Sequence, residues 1–130
     1  MRRTISILNL LAFIFMFSSG IAFCQKVELS GRWEGKTEVP DMGEDGLILV
    51  LKKDDGSYSG KISDSLGMLQ ETEIEEVKLE GKALTFNFMI FTGEDYIRVY
   101  VTLTVEGDKM SGYWEIEDGG SASIELERVK

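Results

Sequence analysis

The chain has no histidine, one proline, one cysteine, and only 14 Lys and Arg against 23 Asp and Glu in 130 residues. Without histidine there is no His-based metal site, no Ser-His or Cys-His nucleophile pair and no imidazole proton shuttle. The lone cysteine, Cys24, excludes an internal disulfide, so stability has to come from core packing. The shortage of positive charge, a formal net of −9, argues against nucleic acid and against electrostatic docking on anionic lipid. No segment shows a helical period.

What is present begins with an export signal over residues 1–24. Basic Arg2 and Arg3 precede an apolar stretch whose longest unbroken run is Leu10 to Phe17, followed by the small-residue tail Ser18-Ser19-Gly20-Ile21-Ala22. From Ile5 to Phe17 the stretch is shorter than a membrane span of about 20 residues, and Asn9 interrupts it. Cleavage after Ala22 and cleavage after Cys24 both satisfy the small-residue positions. Acylation of Cys24, which would make a lipoprotein, is opposed by the bulky Phe23 before it. The expected location is therefore periplasmic or extracellular, with membrane attachment only through a lipidated Cys24. The remaining domain, 25–130, carries 12 basic and 23 acidic residues. It is long enough to bury a core unaided.

From Leu29 onward, apolar and polar residues alternate in runs separated by short Gly- and acid-rich clusters. Eight strands are predicted near 31–39, 46–52, 57–63, 71–79, 83–91, 95–105, 109–117 and 121–129. The fourth changes inward phase between Ile74 and Val77, which predicts a bulge or a break near Glu75-Glu76. Opposed residues in a hairpin must face the same side of the sheet. A four-residue turn at Thr92-Gly93-Glu94-Asp95 pairs Ile90 with Ile97, Phe88 with Val99, Phe86 with Val101 and Leu84 with Leu103. The next hairpin opposes Val101 to Trp114 and Val99 to Ile116. A three-residue turn at Asp118-Gly119-Gly120 then opposes Trp114 to Ile124 and Met110 to Arg128. One apolar face runs through four strands without a phase conflict. The expected fold is all-β, a single eight-stranded antiparallel up-and-down barrel, since closure removes both sheet edges.

Gly31-Arg32-Trp33 opens the first strand, and Arg128 ends the last on the inward parity of Ala122, Ile124 and Leu126. In a closed barrel these strands are neighbours, so Trp33 can stack under the Arg128 guanidinium, a contact of about 0.5 to 2 kcal/mol. In these residues the chain resembles the lipocalin and calycin superfamily of secreted barrels, whose Gly-x-Trp motif and last-strand Arg close the barrel. The resemblance implies a structural role for Gly31, Trp33 and Arg128. The segment Asp95-Tyr96-Ile97-Arg98-Val99-Tyr100 only approximates that superfamily's middle motif. The connection Pro40 to Asp45 cannot hold the helical lid of fatty-acid-binding proteins. A compact lipocalin-like domain fits best.

Every inward position that can be placed is apolar, Gly, Thr, Tyr58 or Arg128, so nothing supports catalysis, and no cofactor or metal is expected. The acids Asp41, Glu44, Asp45, Asp54, Asp55, Glu94, Asp95, Glu106, Asp108 and Asp118 read as solvated turns, since their spacing is not that of a calcium loop. Two functions remain. The first is an exported binding module for a small apolar or amphiphilic ligand, its cavity lined by Leu49, Tyr58, Phe86, Phe88, Val99, Val101 and Trp114. Gly31, Gly35, Gly60, Gly112 and Ala122 suggest residual space inside. The second is a protein-interaction or inhibitor module with a filled core, acting through its loops or an outer face of Tyr96, Arg98 and Tyr100. Outward Ile48, Val50, Met89 and Phe91 would extend that face, and Glu117 is the expected ion partner of Arg98.

Overall fold

The computed structural model describes residues 28–130; the expected export segment, with Cys24, lies outside the described residues. Nine strands follow in order: β1 (Gly31–Val39), β2 (Gly43–Asp54), β3 (Ser57–Asp64), β4 (Thr72–Glu73), β5 (Glu75–Glu80), β6 (Ala83–Phe91), β7 (Tyr96–Glu106), β8 (Lys109–Ile116) and β9 (Ser121–Arg128). They form one antiparallel sheet in the order β4-β3-β2-β1-β9-β8-β7-β6-β5. The first and last long strands pair, with Trp33 opposite Arg128. The sheet thus curls into a nearly closed barrel.

The count of nine corrects the expected eight, and the cause is the fourth strand. Residues 72–80 must cross from one neighbour to another: Thr72 and Glu73 pair with β3, whereas Glu75 onward pairs with β6. The strand breaks at Ile74, whose N–H donates to the Gly60 carbonyl at 3.1 Å and holds the seam between β3 and β5. Glu76 takes a positive φ of 50°, and the register shifts between Glu75 and Lys78. β2 also begins earlier than expected, at Gly43, because Pro40-Asp41-Met42 alone makes the turn and Val39 already pairs with Gly43.

The β6/β7 and β7/β8 registers are those inferred from turn lengths. The β8/β9 register is displaced by two residues: Trp114 opposes Ala122 and Met110 opposes Leu126. The three-residue turn is Glu117-Asp118-Gly119, closed by Ile116 N–H to Gly120 O at 2.9 Å. Such a turn needs φ > 0 at its third residue, and Gly119 supplies it at 102°. A shift of two preserves parity, so the inward face survives.

Leu29, Trp33, Leu49, Leu84, Leu103 and Met110 are fully buried and fill one half of the barrel. Gly35 and Gly112 provide no cavity space. A Cβ on either would lie 1.7 Å from the Glu125 carbonyl oxygen or 1.9 Å from that of Thr102, so both mark places where a neighbouring backbone crosses closely.

Candidate functional site

The two ends of the barrel differ in construction. At one end the Arg128 guanidinium lies 4.4 Å from the Trp33 ring centre. It donates to the carbonyls of Ser30 (2.9 Å) and Glu28 (2.7 Å) and to the Asp108 carboxylate (3.0 Å). Trp33 Nε1 in turn donates to the Leu29 carbonyl at 3.0 Å. Residues 28–30 are thereby strapped beneath the barrel, with Leu29 as a plug. Its N–H donates to the Tyr58 hydroxyl at 3.0 Å. Hydrogen bonds from Arg128, then Lys130, hold the Asp108 carboxyl below its ordinary range.

At the other end, beneath the connections at 40–42, 65–71, 92–95 and 117–120, the strands line a cavity of about 140 Å³ that opens to solvent. Its walls include Leu47, Ile62, Phe88, Val99, Val101 and Trp114. Trp114 is fixed in place: its Nε1–H donates to Thr37 Oγ1 at 2.8 Å, and that hydroxyl donates to the Ser123 carbonyl at 2.6 Å. Of the expected lining, Phe88, Val99, Val101 and Trp114 meet at this cavity, whereas Leu49, Tyr58 and Phe86 do not. Those three lie toward the plugged half, which Leu29 and Trp33 already fill.

Two acidic residues also stand in the cavity wall, which corrects the expectation that inward positions are apolar, Gly, Thr, Tyr58 or Arg128. Asp45 is buried, and its Oδ1 accepts from Ser65 N–H, Ser65 Oγ and Leu66 N–H at 3.0–3.1 Å. Asp64 Oδ1 accepts from Leu69 N–H at 2.7 Å. Together they knot the 65–71 connection, which carries the wall residues Met68 and Leu69, over the cavity. Asp64 Oδ2 is buried and receives no hydrogen bond from a protein donor. Burial first, and the facing Asp45 carboxyl second, push Asp64 up to about 6. Burial disfavours the charged form of a carboxyl, and a second carboxyl beside it adds to that. Parity could have revealed both: Asp45 lies two residues before inward Leu47, and Asp64 two after inward Ile62.

The outer face of β7 is less available than expected. Tyr96 and Tyr100 are exposed, and Tyr96 packs against Phe91 with ring centres 4.9 Å apart. Arg98 is engaged, and its partners are Glu75 at 3.2 Å and the buried Asn87 side chain, in place of Glu117. Asn87 also donates to Glu76 at 2.7 Å, so this cluster braces the β5 bulge. Ile48 and Val50 sit on β2, which is not a neighbour of β6 or β7, so they do not continue the Phe91/Tyr96 surface along paired strands.

No protein-family model matches the chain, and no curated protein matches it. Among solved structures, a de novo designed fluorescence-activating β-barrel is similar, with a TM-score of 0.53 and 20% identity, covering 78% of this chain and 94% of the designed one. That likeness shows a shared barrel fold.

Proposed function

We propose that this chain is an exported, non-catalytic binding module of lipocalin-like type that takes one small apolar ligand in the cavity at its loop end. The single observation behind this reading is that cavity: about 140 Å³, apolar-walled and opposite the plugged end. An engineered apolar protein cavity of about 150 Å³ stays dry and admits benzene, so a single ring sets the ligand's scale, and sterols and long acyl chains are too large. The Gly31, Trp33 and Arg128 arrangement supports the lipocalin-like assignment, and the Arg2-Arg3 and Leu10 to Phe17 segment supports export. Burying roughly 150 Å² at about 25 cal/mol per Å² yields a gross gain of about 4 kcal/mol, so that with association costs a Kd of about a millimolar is the tightest expected.

The test is a melting titration with 2-phenylethanol. At about ten times its Kd, a bound ligand adds about 1.4 kcal/mol of stability, several degrees in Tm. An unchanged Tm at that concentration across a panel of single-ring compounds would overturn the reading. It would favour the second one, a protein-interaction module using the exposed Phe91/Tyr96 pair.

A further inference from the structure

Charge is distributed unequally between the two ends of the barrel. The four connections around the cavity contain Asp41, Glu71, Glu94, Asp95, Glu117 and Asp118, and no Lys or Arg. At the plugged end, Lys53, Lys82, Lys109, Arg128 and Lys130 are mixed among acids. Of the charged pairs near the mouth, Lys36 is spent on Glu44 at 3.1 Å. Met42, Leu66 and Met68, all large and exposed, stand on the same connections as the acids. Inside the mouth, Asp45 and Asp64 stand in the wall with their carboxyls buried behind it, and the surface facing the cavity is almost wholly apolar.

These features select among small ring-bearing ligands. A carboxylate ligand would enter a ring of like charges at the mouth and find an apolar wall inside that offers its charge no partner. A neutral ligand fills the cavity but gains nothing from the ring. An ammonium tethered to an apolar group gains from both, because a low-dielectric mouth lined by one sign of charge concentrates the opposite sign. Resting on the binding-module reading above, we propose that the cavity's ligand is an organic amine carrying one ring-sized apolar group. The ring lies inward between Phe88, Val101 and Trp114, and the ammonium faces the acidic mouth.

The experiment compares three molecules of nearly equal shape, 2-phenylethylamine, 2-phenylethanol and phenylacetate, by calorimetric or NMR titration near neutral pH. The amine is expected to bind about tenfold tighter than the alcohol at low salt, phenylacetate to bind weakest, and the amine's advantage to shrink as salt screens the mouth. A combined Glu94→Gln, Asp95→Asn, Glu117→Gln, Asp118→Asn variant should bring amine and alcohol close together while leaving the alcohol's Kd unchanged. Asn at 118 keeps the Oδ1 acceptor that holds Gly120 N–H at 3.1 Å, so the turn is retained. If the alcohol binds as tightly as the amine at low salt, the amine proposal falls and the binding-module reading stands. If methylamine competes as well as 2-phenylethylamine, the cation is held outside the cavity and the proposal falls. If none of the three binds, both readings fall together.

Discussion

Arg128 lies over Trp33 at 4.4 Å, and these two residues join the last strand to the first. Because the guanidinium also holds the carbonyls of Glu28 and Ser30, one side chain closes the sheet and fastens the plug. Trp33→Ala is expected to cost about 3 to 5 kcal/mol, since it leaves a cavity in the filled half. Arg128→Ala should cost less. In a denaturant-based double-mutant cycle the two losses should couple by at least about 0.5 kcal/mol, and strict additivity would count against the contact.

Much of this fold was legible in the sequence for a definite reason. Where a turn length and an apolar pattern agree, as for Ile90 opposite Ile97 and Val101 opposite Trp114, register follows from period-two alternation. The β8/β9 register was misplaced because two adjacent glycines could each supply the positive φ, and pattern alone does not choose Gly119 over Gly120. The phase change between Ile74 and Val77 marks the irregularity of the fourth strand, whereas the change of partner at Ile74 is a property of closure and has no residue signature of its own. Parity places four of the seven expected lining residues, Phe88, Val99, Val101 and Trp114, at the cavity. Asp45 is hidden because β2 begins three residues before the expected start at 46 and an acid near a turn reads as solvated, and Asp64 because β3 runs one residue past the expected end at 63. Leu49, Tyr58 and Phe86 were misassigned because parity says which side a residue faces but not how far along the barrel the packing ends.

The Asp45/Asp64 pair has a measurable pH signature. Asp64 ordinarily titrates at 3.8 and is raised to about 6 in the folded state, so between these values the folded chain holds a proton that the unfolded chain has released. Stability from this group is therefore fully present below about pH 4, falls as pH rises to about 6, and is level above. Asp64→Asn keeps an acceptor for Leu69 N–H and offers a donor to Asp45. Relative to wild type it should gain about 1 kcal/mol across that window, because solvent near the mouth screens much of the penalty. A stability difference that does not change between pH 4 and pH 7 in urea unfolding would contradict the raised Asp64.

The two halves of the barrel should respond oppositely to added volume. Val99→Phe places a ring in the cavity and is expected to keep or raise stability, by up to about 1 kcal/mol, while abolishing 2-phenylethanol binding. Val105→Phe, in the filled half, should cost about 1 to 3 kcal/mol by overpacking. Thermal unfolding of the two variants side by side checks the contrast; equal destabilisation would mean that the cavity end is already full.

Gly112→Ala should cost at least about 2 kcal/mol, because the new methyl would press on the Thr102 carbonyl and the strand has no flexible side chain there to yield. Gly120→Ala, whose methyl would meet side-chain atoms of Ile116 at 3.2 Å and of Asp118 at 3.7 Å and no backbone, is expected to cost less. Chemical denaturation of both variants tests whether Gly112 is fixed by close strand approach.

The most direct measurement of the binding account is an NMR titration that follows the two indole N–H signals. Trp114 forms part of the cavity wall with its N–H on Thr37, and Trp33 is sealed beneath Arg128 with its N–H on Leu29. A single-ring ligand such as 2-phenylethanol should shift the Trp114 signal saturably, with a Kd of about a millimolar or weaker, and leave the Trp33 signal in place. A titration that moves neither signal, or moves Trp33 and not Trp114, would contradict a ligand site at the loop end.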